Sequence, residues 1–378
     1  MSTRAADASV RVPFGDLAED YRSKRASIDA AVSRVLASGR FILGNEVRRF
    51  EEELAAYLGV SHVVGCANGT EAIALALAAA GMKPGDPVVL PANTCAPTLA
   101  GVRMAGGRAL LADAEPQTLT LDAEAAGRAG GPEARFFLPV HLYGGVADLD
   151  ALTVLAAKRG ALLVEDCAQS HGATWKSRAT GSFGRAAAFS FYPSKNLGAY
   201  GDGGAVATNE ASVAERAREL RQYGWKRRDY AETEGWNSRL DELQAAILRV
   251  KLAFLARENV RRREIADRYD AAFAALPLTR LAVRPGSVPA RHLYPVRTPK
   301  RDALRGHLAA RGVETGIHYP TPLHLHPAYA FLGYRRGAFP VAEEASETVV
   351  SLPLHTALSD EQVEAVVAAV AGFFEETR

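Results

Sequence analysis

Lys195 stands between an aromatic run and a glycine-rich turn, in the stretch FSFYPSKNLGAYGDGGAV at residues 189–206. A lysine amine forms a Schiff base with an aldehyde and can then move protons between carbon atoms. The glycines that follow it let the backbone turn sharply and pass close to a ligand. Ser190, before the lysine, could add a hydroxyl to a phosphate site. Taken alone, a lysine in such a turn is more often an exposed surface side chain.

Asp166 ends an apolar segment, ALLVEDCAQ, at residues 161–169. A carboxylate at the end of a buried strand either finds a cationic partner or has its pKa raised. A protonated pyridine nitrogen would be such a partner, and Asp166 would keep that proton on the ring. A structural salt bridge or a helix cap would explain Asp166 about equally well.

Gly69 and Thr70 lie where a predicted strand meets a predicted helix, in ANGTEA at residues 67–72. The first backbone N–H groups of a helix have no partner within it, and the helix dipole adds positive potential there. Such a terminus suits a phosphate, although a simple helix cap is the commoner explanation. An anion cradle, a carboxylate for a ring nitrogen and an amine for an aldehyde together complement pyridoxal 5′-phosphate.

The order of apolar segments predicts how these groups are brought together. The first two thirds of the chain alternate strand-like and helix-like segments, which indicates an α/β fold with a mostly parallel sheet and helices on both faces. Because parallel strands end at one edge of a sheet, polar groups that follow them meet there. The seven predicted strands are HVVGCANG, PVVLPAN, RALLADAE, RFFLPVHLYG, ALLVEDCA, AAFSFYP and GGAVATN, the last turning back beside its predecessor.

A long helical pattern, from Asp241 to about Leu276, is typical of a bridge between two domains. Asn237 and Arg239 lie just before it, where capping or solvation would account for them. Short strand-like pieces and helices follow, and Ser359 is the predicted N-cap of the last helix. We therefore expect a large domain at residues 1–276, with an N-terminal arm and the bridging helix, and a smaller α+β domain at 277–378.

The composition is that of an ordinary globular protein, since 48% of the 378 residues are hydrophobic and 23% are charged. A net charge of +2 predicts neither a nucleic-acid partner nor a membrane surface. The one basic cluster, Arg257 with RRR at 261–263, is typical of a solvated helix face. Three cysteines without a CxxC spacing, no signal-peptide pattern and no membrane-spanning run predict a cytoplasmic protein. The histidines at 318, 324 and 326 fit no zinc-site spacing, so we expect no metal.

Long motifs in a fixed order cover almost the entire chain. They include SGRFILGNEVRRFEEELAAYLG (38–59), ANGTEAI, EDCAQSHGA, SFYPSKNLGAYGDGGAV, NSRLDELQAAIL and GIHYPTPLHLHPAY (316–329). These motifs resemble those of the DegT/DnrJ/EryC1/StrS family of sugar aminotransferases, which are fold-type I pyridoxal-phosphate enzymes. The resemblance implies a fold-type I transferase that forms a homodimer with shared active sites.

The resemblance also implies roles for individual residues. Lys195 would hold the cofactor covalently and act as general acid and base, and Asp166 would hold the pyridinium nitrogen. Members of the family usually carry an aromatic side chain, stacked on the cofactor ring, at the position of Cys95, which cannot stack that way. The implied cofactor contacts are Gly69, Thr70, Asp166, Gln169, Ser190, Lys195 and Asn237 of the partner subunit, and the implied substrate contacts are His318, Tyr319 and Arg239.

For the reaction, the resemblance implies transfer of an amino group from L-glutamate to a nucleotide-linked keto-sugar. The residues of the motifs YPSKNLGAYGDGGAV and NSRLDELQAAIL resemble those of family members that act on dTDP-linked 3-keto-6-deoxyhexoses, which favours such a sugar as the acceptor. A 4-keto nucleotide sugar and a keto-inositol stay open as acceptors, and a pyridoxal-phosphate-binding regulator without enzymatic activity is a further alternative. An NAD-dependent sugar enzyme is another, although the glycine-rich turn matches neither GxGxxG nor GxxxxGK[ST].

Overall fold

The computed structural model describes residues 10–376, in which helices and strands alternate through most of the chain. The α-helices are α1 (Leu17–Ser38), α2 (Asn45–Leu58), α3 (Gly69–Ala79), α4 (Ala96–Met104), α5 (Ala123–Gly130), α6 (Leu149–Arg159), α7 (Ala211–Leu220), α8 (Glu242–Ala272), α9 (Arg301–Ala310), α10 (Pro340–Thr348) and α11 (Asp360–Glu376). The strands are β1 (His62–Cys66), β2 (Pro87–Pro91), β3 (Arg108–Ala112), β4 (Phe136–Phe137), β5 (Leu162–Asp166), β6 (Thr174–Trp175), β7 (Arg178–Ala179), β8 (Ala186–Ser190), β9 (Gly204–Thr208), β10 (Trp225–Arg227), β11 (Tyr230–Ala231), β12 (Thr279–Arg280), β13 (Ser287–Val288), β14 (Tyr294–Arg297) and β15 (Val349–Leu352).

Seven strands form one central sheet in the order β1-β9-β8-β5-β4-β2-β3. The pairings from β3 across to β8 are parallel, whereas β9 runs antiparallel to both β8 and β1. Alternate residues of β8 face opposite cores: Ala188 packs with α3, and Phe189 packs with α2 and α8. Because both faces are covered, the strands are continuous apolar runs. The predicted mostly parallel seven-stranded sheet, with GGAVATN turning back, is confirmed.

Helix α8 is 31 residues long and contacts two hydrophobic cores. Leu248 and Leu255, in its first half, pack with α2 and the central sheet. Ile265 and Tyr269, in its second half, pack with β14, β15, α9 and α11. The predicted long helix is confirmed, and it ends at Ala272 rather than near residue 276.

The arginine run on α8 differs from its prediction. Arg262 is only 9% exposed, whereas Arg261 is half-buried and pairs with Asp360 at 2.8 Å. Successive residues of an α-helix are about 100° apart, so three adjacent arginines cannot all lie on one solvated face. The prediction of a solvated face is therefore wrong for Arg262, which points inward.

A second sheet, β12-β14-β15, is antiparallel and packs with α9 and α11. The N-terminal segment joins it, because Val12 bridges to Val313 and lies in the same core. Ser359 caps α11 as predicted: its Oγ accepts from the Gln362 N–H at 3.1 Å, and its own N–H donates to Gln362 Oε1 at 3.0 Å. Among the residues described, no helix is both long enough and apolar enough to cross a membrane.

Candidate active site

A cavity of about 590 Å³ opens at the carboxyl ends of β5 and β8, beside the N-terminus of α3. The parallel strands end at this edge of the sheet, so residues that are far apart in sequence meet here. The predicted site residues that line the cavity are Gly69, Thr70, Asp166, Gln169, Ser190, Lys195, His318 and Tyr319.

Asp166, the last residue of β5, is the buried acid of the cavity. Thr98 Oγ1 donates a hydrogen bond to its Oδ2 at 2.9 Å, and the Ala168 N–H donates to its Oδ1 at 3.0 Å. Within residues 10–376, no basic nitrogen lies within 4.0 Å of this carboxylate. Burial raises its pKa. A cationic ligand group beside Asp166 would therefore be stabilised, because it would relieve the cost of the buried charge.

Lys195 lies in the turn that follows β8, where its N–H donates to the Tyr192 carbonyl oxygen at 2.8 Å. The turn needs glycine at 198, since a Cβ there would lie 2.3 Å from the Pro193 oxygen. Burial lowers the pKa of the Lys195 amine, while the nearby Asp166 carboxylate opposes this effect. A lowered pKa leaves more of the amine uncharged, and the uncharged amine is the nucleophile.

Gly69 begins α3 and lies against Ser190, the last residue of β8. Asn68 caps the helix, because its Oδ1 accepts from the Glu71 N–H at 2.9 Å. The N–H groups of Gly69 and Thr70, at the cavity wall, have no partner within the helix. With the Ser190 hydroxyl they form a site suited to a phosphate.

Replacing Gly69 with alanine should damage this end of the cavity. The new Cβ would lie 2.5 Å from Ser190 Cβ and 2.9 Å from its Oγ, so the strand or the helix must shift. We expect a loss of about 1–3 kcal/mol in the free energy of unfolding, measured in urea, and weaker binding in a titration with pyridoxal 5′-phosphate. Gly306→Ala in α9 is the matched control, because no atom lies within 4 Å of its new Cβ. Equal behaviour of the two variants would contradict the close contact.

Gln169 and Tyr319 meet on another wall of the cavity. Gln169 Nε2 donates to the Tyr319 hydroxyl at 2.9 Å, and its Oε1 accepts from the Tyr143 N–H at 2.6 Å. The Tyr143 hydroxyl in turn donates to the carbonyl oxygen of His318. This chain of hydrogen bonds joins the β5 end to the 318–319 segment and fixes the direction of the Gln169 amide.

His318 is held on both sides. Its ring stacks on Phe14, with the centroids 5.6 Å apart, and its Nδ1 lies 3.0 Å from Ser351 Oγ. Burial, together with the Lys195 charge, lowers the pKa of His318 to about 4. The imidazole is therefore neutral near pH 7 and can act as a hydrogen-bonding group on the cavity wall.

Asn237 and Arg239 do not line the cavity of their own chain. Asn237 is exposed and bridges to Gln222 in the backbone. The Arg239 guanidinium lies 5.8 Å from the centre of the Tyr223 ring. The family resemblance implies that Asn237 reaches the cofactor of a partner subunit and that Arg239 contacts the substrate, and both stay predictions.

His141 is buried beneath the sheet edge rather than in the cavity. Its Nε2 lies 3.1 Å from Glu165 Oε2, and its Nδ1 accepts from the Ala147 N–H at 3.2 Å. Potential ligand atoms of His141, Glu165 and Cys167 lie within 4.8 Å of one another. Both nitrogens of the histidine are already hydrogen-bonded, so the group stabilises the fold. His171 is also buried and does not line the cavity.

Cys95 lies at the N-terminus of α4, on the cavity wall. Burial raises the pKa of its thiol. A polarizable sulfur can contact an aromatic ring at its edge, although it cannot stack on it. One turn later on α4 stands Thr98, whose hydrogen bond to Asp166 no sequence pattern indicates.

Asn196 forms a second unpredicted group beside Lys195. Its Nδ2 donates to Asn259 Oδ1 and to the Ala290 carbonyl oxygen, each at 2.8 Å, and its Oδ1 lies 3.1 Å from His292 Nδ1. These contacts tie the turn that carries Lys195 to helix α8 and to the segment before β14. Since they join residues more than 60 positions apart, no local pattern could have revealed them.

Pyridoxal 5′-phosphate fits the residues of this cavity. Asp166 is a buried carboxylate without a cationic partner among the residues described, as a ring-nitrogen site requires. The contact of Gly69 with Ser190 leaves no room for a Cβ beside unpaired helix N–H groups, as a phosphate cradle requires. Lys195 supplies an amine of lowered pKa within the same cavity.

Comparisons with known proteins agree with this geometry. A sequence model described as the DegT/DnrJ/EryC1/StrS aminotransferase family matches residues 22–371. The dTDP-3-amino-3,4,6-trideoxy-alpha-D-glucose transaminase of Streptomyces venezuelae is 46% identical over 371 residues, which cover 98% of this chain and 97% of that protein.

Solved structures agree as well. S. venezuelae DesV in complex with a ketimine intermediate has a TM-score of 0.95 at 46% identity, covering 97% of this chain and 99% of that chain. The PLP-form of the putative sugar aminotransferase Spr1654 from Streptococcus pneumoniae has a TM-score of 0.89 at 26% identity, covering 98% and 100%. The predicted fold-type I class is thereby confirmed. From the family match and the agreement over nearly whole chains, the protein belongs to the DegT/DnrJ/EryC1/StrS aminotransferase family and is a pyridoxal-phosphate-dependent sugar aminotransferase.

Proposed function

We propose that the enzyme transfers the amino group of L-glutamate to a dTDP-linked 3-keto-6-deoxyhexose, giving a dTDP-linked 3-amino-3,6-dideoxyhexose and 2-oxoglutarate. The observation that carries the transamination is the presence of Lys195 and Asp166 in one cavity, each without an ion-pair partner among the described residues. The name of the S. venezuelae relative supports a dTDP-linked acceptor that is aminated at C3.

Each residue of the cavity has a role in this proposal. The bound cofactor would supply an aldehyde and a ring that accepts electrons from the carbon losing a proton. Lys195 Nζ would bind the aldehyde and later carry the proton between substrate and cofactor carbons. Asp166 would hold a proton on the ring nitrogen, through a charge-assisted hydrogen bond. The remaining cofactor contacts would come from Gly69, Thr70, Gln169 and Ser190, and His318 and Tyr319 would border the sugar.

We also propose that the enzyme is a homodimer that shares its active sites. Phe41 and Ile42, before α2, are each close to half exposed, as is Tyr192 at the cavity mouth. Phe41 and Ile42 are adjacent, and exposed apolar side chains that lie together often mark an interface with another protein. Asn237 and Arg239, which do not reach their own cavity, would then face the partner's cavity.

Asn237→Ala tests this sharing. We expect weaker retention of the cofactor on dialysis, because one hydrogen bond to the phosphate would be lost, which costs about 1.5–3 kcal/mol for a charged acceptor. A mixture of dialysed Asn237→Ala and Lys195→Ala chains, refolded together, should regain up to about a quarter of the wild-type activity. Half of the dimers would be hybrids, and one site in each hybrid would contain both native residues.

Two controls make that experiment decisive. Lys195→Ala refolded by itself should stay inactive, Asn237→Ala refolded by itself should be less active than the mixture at limiting pyridoxal 5′-phosphate, and sedimentation should give a dimer for both. If the mixture regains nothing while hybrid dimers are present by mass spectrometry, Asn237 does not act across subunits.

The substrate proposal is tested by a matched panel. Purified enzyme with L-glutamate is incubated with dTDP-linked 3-keto and 4-keto 6-deoxyhexoses and with a keto-inositol, and the aminated product is identified by mass and NMR. We expect amination at C3 of the 3-keto sugar. If the 4-keto sugar or the keto-inositol is aminated faster, that compound is the acceptor and the proposed 3-keto sugar is not. If the absorbance of the cofactor does not change on addition of glutamate, the result would favour the alternative of a pyridoxal-phosphate-binding regulator without enzymatic activity.

We keep the division into residues 1–276 and 277–378, and a cytoplasmic location, as further parts of the proposal. The boundary falls just after α8, whose two halves pack in different hydrophobic cores, and this supports a division there. Cys66, Cys95 and Cys167 are all free thiols, which agrees with a reducing compartment. Limited proteolysis with mass analysis would test the boundary.

A further inference from the structure

Arg262 is a buried cation with unused hydrogen-bond donors. Its Nη1 donates to the carbonyl oxygens of Leu354 at 2.8 Å, His292 at 3.3 Å and Arg291 at 3.5 Å. Its Nε and Nη2 bond to no atom of residues 10–376, and no carboxylate in that range lies within 4.0 Å. Burial lowers its pKa to about 10, although the charges of Glu258 and Asp20 oppose this effect.

The acidic residues nearest to Arg262 along α1 and α8 are already paired. Asp20 lies 2.7 Å from Lys24 Nζ and 2.8 Å from Lys251 Nζ. Glu258 lies 2.5 Å from Lys24 Nζ. Two lysines therefore balance two carboxylates, and the guanidinium of Arg262 remains as one uncompensated positive charge. A buried cation of this kind is stabilised by one additional anion.

Arg262 lines the same cavity as Lys195. His292 contacts both sides. Its carbonyl oxygen accepts a hydrogen bond from Arg262, and its ring Nδ1 lies 3.1 Å from Oδ1 of Asn196, the residue after Lys195. One residue thus separates the unpaired guanidinium from the turn that carries the reactive amine. A substrate bound for reaction at Lys195 can therefore place an anionic group near Arg262.

We propose that the free Nε and Nη2 donors of Arg262 bind a carboxylate of the amino donor. This inference rests on the proposed transamination from an amino acid. A guanidinium presents parallel N–H donors in the spacing of the two oxygens of a carboxylate. One uncompensated positive charge matches the negative charge of one carboxylate, and the keto-sugar ring itself carries no charge. Arg262 would thus select an amino acid for the first half-reaction.

The two half-reactions separate this role from a structural one. In Arg262→Gln, the KM for L-glutamate in the first half-reaction should rise about 10- to 100-fold. The reverse of the second half-reaction, in which the amino sugar returns its amino group to the cofactor, is measured with amino sugar prepared by the wild-type enzyme. Its rate in Arg262→Gln should stay within about threefold of the wild-type rate. Both rates are read from cofactor absorbance in single turnovers.

A binding measurement provides a readout other than activity. Calorimetric titration of the wild-type holoenzyme with glutarate, a dicarboxylate without an amino group, should give binding that Arg262→Gln loses. Arg262→Lys should recover part of it, since the charge is kept while the planar fork is lost. Arg257→Gln is the matched control, because Arg257 is exposed on the same helix, and it should bind glutarate like wild type.

Three results would contradict either the role proposed for Arg262 or the proposed function. If Arg262→Gln slows both half-reactions equally and lowers the melting temperature, Arg262 only joins α8 to the segments that contain His292 and Leu354, and the proposal is wrong. If the amino-sugar half-reaction alone is slowed, the anion is the diphosphate of the nucleotide sugar, which also overturns it. If wild-type enzyme itself fails to react with any amino acid, the proposed function fails first.

Discussion

Replacing Lys195 with alanine should abolish both half-reactions, with a loss of at least about 10⁴-fold in each rate. The variant would lack both the amine that binds the cofactor covalently and the group that carries the proton. The measurement is a single-turnover assay in each direction, followed by the absorbance of the cofactor. The covalent link should also be absent, so borohydride reduction should label the Lys195 peptide in wild type but not in the variant.

Two further lysine variants are controls for this result. Lys195→Arg should be as inactive as Lys195→Ala, because an arginine stays protonated and cannot act as the nucleophile. Lys176→Ala should be fully active, since Lys176 is exposed, pairs with Asp150 at 2.5 Å, and does not line the cavity. Circular dichroism should be the same for all three. Persistent turnover in Lys195→Ala would remove Lys195 from the mechanism.

Replacing Asp166 with asparagine should lower the rate of the glutamate half-reaction by about 10²- to 10⁴-fold. Loss of one partner of a buried ion pair costs about 3–5 kcal/mol, and each 1.4 kcal/mol is a factor of ten in rate. Asparagine has nearly the same shape, so its oxygen can still accept from the Ala168 N–H while its NH2 group donates to the Thr98 hydroxyl. The cofactor should still be bound covalently, which distinguishes this variant from Lys195→Ala.

Thr98→Val provides a graded control for Asp166. The variant removes one hydrogen bond that stabilises the carboxylate, so the pKa of Asp166 should rise further in the apoenzyme. We expect a rate loss of about tenfold, well below that of Asp166→Asn. Full activity in Asp166→Asn would mean that the ring nitrogen is not protonated by this side chain.

The central sheet and the main polar groups of the cavity were predictable from the sequence. The strands are apolar runs because both faces of the sheet are covered, and the polar residues that end them must meet at one edge. Asp166, Ser190 and Lys195 were predicted from that rule together with Gly69 at a helix start. The resemblance to a known family then added Gln169, His318 and Tyr319, which line the cavity as expected.

The side chains that support these residues became known only from the way distant elements pack. The hydrogen bond from Thr98 to Asp166 joins positions 68 residues apart, and the contact of Asn196 with His292 spans 96. Arg262 stood in a run that predicted a solvated face, yet helix geometry turned it inward, where no carboxylate of residues 10–376 lies within 4.0 Å. Local sequence patterns fix backbone conformation and one face of an element, whereas the partner of a buried polar group depends on how distant elements pack.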